Sequence, residues 1–311
     1  MKALFIGIGS IGKRHIRDFY NECRKHGVIP EIHALRRKTG GLGSEEDALI
    51  RKQITEITDS DYDVTFITNP TNLHYDAINK CRKRTKWYFI EKPIFDDPDL
   101  LIEDLDINSK NTYVAAPMRH TALYKELKKV VNDNPVFSVR VICSSYLPDW
   151  RKGVDYRTVY SAKREMGGGV NIDLIHEIDY IYDLLGEPKN VLGTSGKFSG
   201  LEITSNDLAT FIFEYDDKLC EIHLDYFGRE NRRTCEVFTE NGTYIADFFG
   251  ETLRCPDGSM IDCHKIPDEE FLNEMDYFYR FINGEAESMN PPDLALKTLR
   301  IALKGDKCNV L

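Results

Sequence analysis

The sequence predicts an α/β protein: an N-terminal Rossmann domain with a doubly wound parallel sheet, then a C-terminal α+β domain with a large, mostly antiparallel open sheet. Strand and helix patterns alternate through the first third, and a glycine-rich turn follows the first strand. Between about residues 207 and 249, apolar and polar positions alternate around hairpin signals such as Asn241-Gly242. We expect domains at 1–117 and 118–311, with the last helix a candidate to pack back on the first domain.

Each element is predicted from its apolar periodicity and its turn residues. In the first domain we expect strands at 2–6, 31–36, 63–68, 86–91 and 112–116 and helices near 11–26, 71–84 and 98–106. In the second domain we expect helices near 119–131, 170–185, 268–283 and 292–304 and a strand at 136–146. Parallel sheets bind ligands beyond the carboxyl ends of their strands, so the loops after the first-domain strands should converge on one site.

Composition excludes several classes of protein. The 311 residues carry a net charge of −10 with no long basic run, which argues against nucleic-acid binding. No apolar stretch approaches the roughly 20 residues of a membrane span, and no signal-peptide pattern is visible, so we expect a cytoplasmic protein without membrane association. The eight cysteines form no C-x-x-C pair, and we expect reduced thiols and no metal site.

The glycine turn has the spacing G-x-G-x-x-G at Gly7, Gly9 and Gly12. In a strand–turn–helix unit, this spacing permits a tight turn, lets phosphate approach bare backbone and brings the helix close to the strand. The helix N-terminus then offers free N–H groups to a pyrophosphate. The cofactor-binding residues predicted here are Gly7, Ile8, Gly9, Ser10, Ile11 and Gly12. The alternative is a turn that needs glycine for packing alone.

The end of the second strand indicates which dinucleotide binds. NAD-specific folds place an acid near this point to bind the ribose 2′-hydroxyl. Here the sequence continues with Arg36-Arg37-Lys38-Thr39 instead. An arginine can bind a 2′-phosphate that a carboxylate would repel, so we predict NADP, with NAD as the second choice. The alternative is a solvated basic patch.

Two further clusters carry residues suited to proton transfer. Lys92 lies in Glu91-Lys92-Pro93 at the end of a predicted parallel strand, where a lysine would point toward the nicotinamide edge. Asp173 and His176 follow the run Gly167-Gly168-Gly169 and would share one face of a helix at i and i+3. The alternatives are a surface lysine at a strand end, and a capping acid beside a partly buried histidine.

Taken in order, these motifs resemble the Gfo/Idh/MocA oxidoreductase family, and the resemblance spans nearly the whole chain. It implies hydride transfer between a nicotinamide cofactor and a sugar or cyclitol carbinol, with Lys92 and His176 as the catalytic pair and Asp173 beside them. It also implies a homodimer or homotetramer formed through the C-terminal sheet. By the same resemblance, the nicotinamide side of the cofactor is lined by Asn69, Pro70, Asn72, His74, Glu91 and Lys92.

The sequence departs from the family pattern at two points. Family members commonly place the helix Asp and His four residues apart, whereas Asp173 and His176 are three apart, so the division of roles between them is open. Family members also often carry Tyr-Asn before the arginine that corresponds to Arg119, where this chain has Ala116-Pro117-Met118. We expect Arg119, Lys92, Asp173 and His176 to contact substrate.

An aromatic and basic segment follows the predicted strand 136–146. Trp150 offers a flat apolar face to a sugar ring, and Arg151 could bind a carboxylate or a phosphate. The segment resembles a subgroup of the family associated with surface-polysaccharide or nonulosonic-acid sugar pathways, through Pro148-Asp149-Trp150-Arg151, Asp155-Tyr156-Arg157 and Tyr160-Ser161-Ala162. The alternative is a structured loop that packs through its aromatic side chains.

The leading hypothesis from the sequence is an NAD(P)-dependent dehydrogenase or reductase that acts on a sugar-like small molecule. A second hypothesis, from a different class, is a catalytically silent NADP(H)-binding sensor or regulatory protein. A third, a reductase of non-sugar carbonyls or imines, differs from the first only in its substrate. Because Lys92, Asp173 and His176 are all present, the sequence favours an enzyme.

Overall fold

A computed structural model describes residues 1–37, 40–41, 45–263 and 266–304. The chain forms two compact units. The first unit comprises Met1–Pro117 and Glu270–Lys297, and the second comprises Met118–Glu269 and the chain from Thr298 onward. The chain therefore returns to the first unit at residues 270–297, after residues 118–269 of the second unit.

The first unit contains a six-stranded parallel sheet in the order β3-β2-β1-β4-β5-β6. Its strands are β1 (Lys2–Ile6), β2 (Glu31–Leu35), β3 (Ile50–Ile54), β4 (Tyr62–Ile67), β5 (Thr85–Ile90) and β6 (Thr112–Val114). The strand order reverses between β1 and β4, which is the doubly wound arrangement predicted, and ligands bind at this point in such sheets. Its helices are α1 (Ser10–Lys25), α2 (His74–Cys81) and most of α6 (Glu269–Ile282).

Aromatic side chains fill the core of the first unit. Phe5 of β1 stacks on Phe66 of β4 at 4.2 Å between ring centroids, and Phe89 of β5 continues the row at 5.2 Å from Phe66. Phe278 of α6 meets both Phe66 and Phe89 edge-on. These rings are fully buried, so α6 completes the core on this face of the sheet.

The structure of the first unit differs from the prediction at two places. Residues 98–106 form turns, not a helix. The side chain of Asp97 accepts a hydrogen bond from the Asp99 backbone N–H, and this local turn competes with a helix at the start of the segment. The strand β3 was not predicted, because its sequence Ile-Arg-Lys-Gln-Ile is charged at its centre and does not stand out as a strand.

The second unit contains an eight-stranded sheet in the order β14-β13-β12-β11-β7-β10-β9-β8. Every neighbouring pair is antiparallel except β7 with β10, which confirms the mostly antiparallel prediction. Its strands are β7 (Val136–Tyr146), β8 (Asn190–Gly196), β9 (Leu208–Glu214), β10 (Leu219–Asp225), β11 (Phe227–Thr239), β12 (Gly242–Asp247), β13 (Thr252–Arg254) and β14 (Met260–Asp262). Helices α3 (Ala122–Asp133) and α4 (Val170–Asp173) pack on this sheet, and α5 (Ile175–Leu185) follows α4. Helix α7 (Pro292–Lys304) begins in the first unit and ends in the second.

The single helix predicted over 170–185 is interrupted at Leu174. This residue has φ −99° and ψ 26°, outside the helical region, and separates α4 from α5. Asp173 is therefore the last residue of α4, whereas His176 is the second residue of α5. The prediction that both lie on one face of a continuous helix is wrong.

Three further observations concern the described residues only. Seven cysteines there are free thiols, six of them buried, and Cys308 lies outside this part of the chain. No cluster of three or more His, Cys, Asp or Glu side chains among them could hold a metal ion. None of their helices combines the length and the apolar composition needed to cross a bilayer.

Candidate active site

The glycine turn between β1 and α1 leaves a stretch of uncovered backbone. Gly7 has φ +95°, and a Cβ there would lie 2.4 Å from the backbone nitrogen of Asn69. A Cβ at Gly12 would lie 2.3 Å from the carbonyl oxygen of Gly7, so this glycine is needed where the helix packs against the turn. At Gly9 a Cβ would meet nothing within 4 Å. The backbone at Gly9 therefore faces open space that a phosphate could enter.

The start of helix α1 provides donors for an anion. Gly9 is its N-cap, and no side chain caps the helix, so the first-turn N–H groups that begin at Ser10 and Ile11 have no side-chain acceptor there. The hydroxyl of Thr68 donates a 2.6 Å hydrogen bond to the Gly7 carbonyl and fixes the turn from the β4 side. These residues fit a dinucleotide pyrophosphate. Ile8 lies in the same turn and is half-buried.

Arg36 follows β2 at the position predicted to bind a 2′-phosphate. Its Nη1 donates to the carbonyl of Gly40 at 2.6 Å and to the side-chain oxygen of Gln53 at 3.0 Å. These contacts hold the guanidinium against the loop after β2. Arg37 is exposed beside it, and Lys38 and Thr39 lie outside the described residues.

Lys92 and Glu91 directly follow β5, at the sheet edge that also carries the glycine turn. The Nε2–H of His15, in helix α1, donates to Oε1 of Glu91 at 2.5 Å, and the backbone N–H of Lys92 donates to Oε2 at 3.2 Å. Burial would raise the pKa of the Glu91 carboxyl, but the His15 hydrogen bond and the nearby Lys92 charge hold this pKa below its ordinary value. Glu91 therefore ties the helix of the phosphate turn to the segment that carries Lys92.

His15 is a residue that the sequence reasoning missed. Its side chain is fully buried beside Phe89, 4.7 Å away between ring centroids, and its Nδ1 has no hydrogen-bond partner. Because Glu91 is ionised and can only accept, the proton of His15 must lie on Nε2. The sequence shows a histidine among the apolar positions of α1, which could have drawn attention to His15. Its partner Glu91, however, lies 76 residues later in the chain.

His74 and Asn69 lie in the loop after β4. His74 is buried, with Nε2 2.9 Å from the Asn69 carbonyl and Nδ1 3.1 Å from the Ile94 carbonyl, and burial lowers its pKa. It thus joins two loops of the site and is enclosed by them. The side-chain oxygen of Asn69 is buried without a partner, which suits a donor from a bound ligand. Pro70 and Asn72 are exposed nearby in the chain.

In the second unit, Asp173 is enclosed by two tyrosines. Tyr226 donates to Oδ2 at 2.5 Å, and Tyr160 donates to Oδ1. Asp173 is only 7% exposed. His176 lies three residues on, half-buried in the first turn of α5. The sequence places Tyr160 only in the aromatic segment, and nothing near Asp173 in the sequence indicates Tyr226, which lies 53 positions later.

The side chain of Arg119 is paired with two acids. Its guanidinium is 1% exposed and binds both carboxylate oxygens of Asp179, at 2.7 and 2.9 Å, and Asp183 at 3.1 Å. This ion pair anchors the turn Pro117–His120 to helix α5. These partners of Arg119 are acids of its own unit, and its contact with substrate stays a prediction.

The aromatic segment is partly exposed. The Nε1–H of Trp150 donates to Ser145 at 3.0 Å, and its ring, 39% exposed, meets Tyr226 edge-on at 5.2 Å. Arg151 is exposed. The Tyr156 hydroxyl accepts from the Glu202 backbone N–H at 3.1 Å, so this tyrosine also holds the loop in place.

Two family models match the chain. Residues 1–116 match the model of an oxidoreductase family with an NAD-binding Rossmann fold, and residues 124–245 match the GFO/IDH/MocA C-terminal domain. A search of curated protein sequences found no significant match.

Solved structures with the same fold include several dehydrogenases. Levoglucosan dehydrogenase in complex with NADH and levoglucosan aligns with a TM-score of 0.81 at 15% identity, covering 98% of this chain and 97% of that one. The myo-inositol 2-dehydrogenase from Lactobacillus plantarum aligns at 0.75 and 20% identity, covering 97% and 95%. The WlbA dehydrogenase from Bordetella pertussis, in complex with NADH and UDP-GlcNAcA, aligns at 0.73 and 15% identity, covering 98% and 95%.

The two family models together match most of the chain. The chain belongs to the Gfo/Idh/MocA family of NAD(P)-dependent oxidoreductases.

Proposed function

We propose that this protein is an NADP(H)-dependent oxidoreductase that moves a hydride between the cofactor and a carbinol or carbonyl carbon of a sugar derivative, one that carries an acidic group or a nucleotide. The observation that carries the proposal is the uncapped start of α1, with open space at Gly9, on the sheet edge where Lys92 follows β5. Structures of similar fold were solved with NADH and sugar ligands, which supports this substrate class.

Preference for NADP(H) rests on the end of β2. Between residues 31 and 37 the one acid is Glu31, at the opposite end of the strand, and Arg36 and Arg37 occupy the end near the site. Two guanidinium groups there would favour a 2′-phosphate, whereas NAD-specific sites place a carboxylate at this point. Arg36 would thus bind the adenosine end of NADP(H), and the first turn of α1 would bind its pyrophosphate.

A bound nicotinamide supplies the hydride acceptor or donor, and the chain supplies the proton chemistry. Lys92, directly after β5, would donate a hydrogen bond to the reacting oxygen of the sugar. The imidazole of His176 would take the hydroxyl proton during oxidation and return it during reduction. Glu91 would orient the segment that carries Lys92, through the hydrogen bond that it accepts from the Lys92 backbone.

Replacing Lys92 with Met tests the enzyme directly. We expect kcat with NADPH to fall by about two orders of magnitude or more, because an acid–base group is lost. The affinity for NADPH, measured by fluorescence titration, should stay within about threefold. Lys86→Met is the matched control. Lys86 is an exposed lysine of β5, the strand that Lys92 follows, and it pairs with Asp63, so this variant should keep full activity.

The same variant separates the enzyme from the catalytically silent sensor. A sensor would bind NADPH tightly but turn over none of a panel of UDP-GlcNAcA, UDP-N-acetylglucosamine, levoglucosan and myo-inositol. Its biological activity would also survive Lys92→Met. Either an unchanged kcat in this variant or an inert wild-type protein would contradict the proposed reaction.

The sheet of the second unit is the surface through which we propose that two copies associate. A groove of about 1010 Å³ lies on it, lined by apolar side chains such as Leu192 and Ile212 and by charges of both signs, including Arg140 and Glu221. An apolar groove of this size suits a second copy of the chain, because a two-fold contact would cover the same apolar side chains on both copies. Ile212→Asp should convert a dimer to a monomer in light scattering; a wild-type monomer would exclude this interface.

A cytoplasmic location stays a prediction from sequence.

A further inference from the structure

The carboxylate of Asp173 is poorly placed to meet a substrate itself. Both of its oxygens accept hydrogen bonds from phenols, Oδ2 from Tyr226 at 2.5 Å and Oδ1 from Tyr160, and only 7% of the residue is exposed. The two tyrosines differ in one respect. Tyr226 is fully buried, whereas 41% of Tyr160 is exposed. Of these three residues, Tyr160 is the one that presents substantial surface outside the cluster.

The segment that carries Tyr160 is held in position by the glycine run before α4. A Cβ at Gly168 would lie 2.0 Å from the carbonyl oxygen of Tyr160, so only glycine permits this approach. The next residue, Ser161, accepts a 2.6 Å hydrogen bond from the hydroxyl of Ser205, and the N–H of Thr204 donates to Ala162 at 2.9 Å. The glycine run thus serves to fix Tyr160 over Asp173.

We propose that Tyr160 contacts the sugar with its hydroxyl and that Asp173 is its positioning residue. This inference rests on the proposed function and extends it. It assigns to Tyr160 the substrate contact that the family resemblance gives to Asp173, and it leaves the proton transfer itself with Lys92 and His176.

The chemistry of the pair suits a polyol. A phenol that donates a hydrogen bond to a carboxylate still has its oxygen lone pairs. These lone pairs can accept a hydrogen bond from a sugar hydroxyl. Partial desolvation of Tyr160, together with the Asp173 charge, raises its pKa, so it remains a neutral phenol at physiological pH. Arg151, an exposed residue of the same segment, acts against these two effects through its positive charge. A hydroxyl-bearing ring beside an acidic group is the ligand that this arrangement fits.

Tyr160→Phe and Tyr226→Phe are a matched pair of variants, because each removes one hydroxyl from the same carboxylate. They are compared in the intact protein with NADPH or NADP and with the best substrate of the sugar panel named above. We expect Tyr160→Phe to raise KM about tenfold, the value of one lost hydrogen bond, while the melting temperature and the NADPH affinity change little. Tyr226→Phe should instead lower the melting temperature, with KM within about threefold of wild type.

Asp173→Asn provides the test of positioning. An amide can accept through its oxygen but presents an N–H₂ group to the second phenol, so Tyr160 should lose its fixed orientation. We expect a KM increase in this variant that is not additive with Tyr160→Phe in the double variant. If Tyr160→Phe has wild-type KM in an active enzyme, or if its KM effect simply adds to that of Asp173→Asn, the inference is overturned and the proposed function stands. A wild-type protein that binds NADPH but turns over no sugar overturns both.

Discussion

Replacing His15 with Leu should disturb the site without touching any residue proposed to bind substrate. Leucine keeps an apolar side chain against Phe89 but leaves Oε1 of Glu91 without its donor. The Glu91 side chain is only 14% exposed, so water can replace little of what is lost. Because hydrogen bonds to charged groups are worth about 1.5–3 kcal/mol, we expect the free energy of unfolding to fall by about 2–3 kcal/mol, measured in urea at pH 7.

The pH dependence of this loss identifies its cause. The pKa of Glu91 is lowered in the folded protein from its ordinary value of 4.5. A carboxyl with a lowered pKa stabilises the folded state above its ordinary pKa, and that stabilisation disappears as pH falls through the folded value. The difference in stability between wild type and His15→Leu should therefore be constant above about pH 6 and shrink below pH 4.5.

A control and a functional measurement complete the test. His26→Leu removes the histidine at the C-cap of the same helix. Its carboxylate partner is Glu22 at 3.2 Å, but the His26 side chain is 46% exposed, so we expect a loss below about 1 kcal/mol. His15→Leu should also lower kcat, since Glu91 would no longer fix the Lys92 segment. Equal stability losses in the two variants at every pH would refute the reasoning from burial.

Two further variants test separate parts of the account. Arg36→Ala should weaken NADPH binding at least tenfold and leave NADH binding within about threefold, because only NADPH carries the 2′-phosphate; equal losses for both cofactors in fluorescence titrations would remove the phosphate role. Arg119→Ala should lower the free energy of unfolding by about 3–5 kcal/mol, since it takes the guanidinium away from the buried carboxylate of Asp179, whereas Asp183 keeps its ion pair with Lys128. A stable Arg119→Ala enzyme with a raised KM would place Arg119 at the substrate site.

The sequence predicted those features that depend on neighbouring residues. The glycine turn, the helix that follows it and the position of Lys92 after a strand are all encoded within short segments, and the structure has them. The mostly antiparallel second sheet was also predicted, because alternating burial leaves a period-two pattern in each strand.

Features that depend on distant partners could not be predicted. The hydrogen bond between His15 and Glu91 joins residues 76 positions apart, and the pairing of Asp173 with Tyr226 spans 53 positions. The same limit applies to Arg119, because its ion-pair partner Asp179 lies in a helix 60 residues later in the chain. The interruption at Leu174 was missed because the residues around it keep an apolar helical pattern, which favours one continuous helix.

The most direct measurement of the central claim is a crystal structure of the protein with NADP and a sugar from the panel. The account predicts the pyrophosphate on the N–H groups that follow Gly9, and both Lys92 Nζ and a ring nitrogen of His176 within hydrogen-bond reach of the sugar oxygen beside the nicotinamide C4. A complex that held the nicotinamide ring away from these two side chains would contradict it.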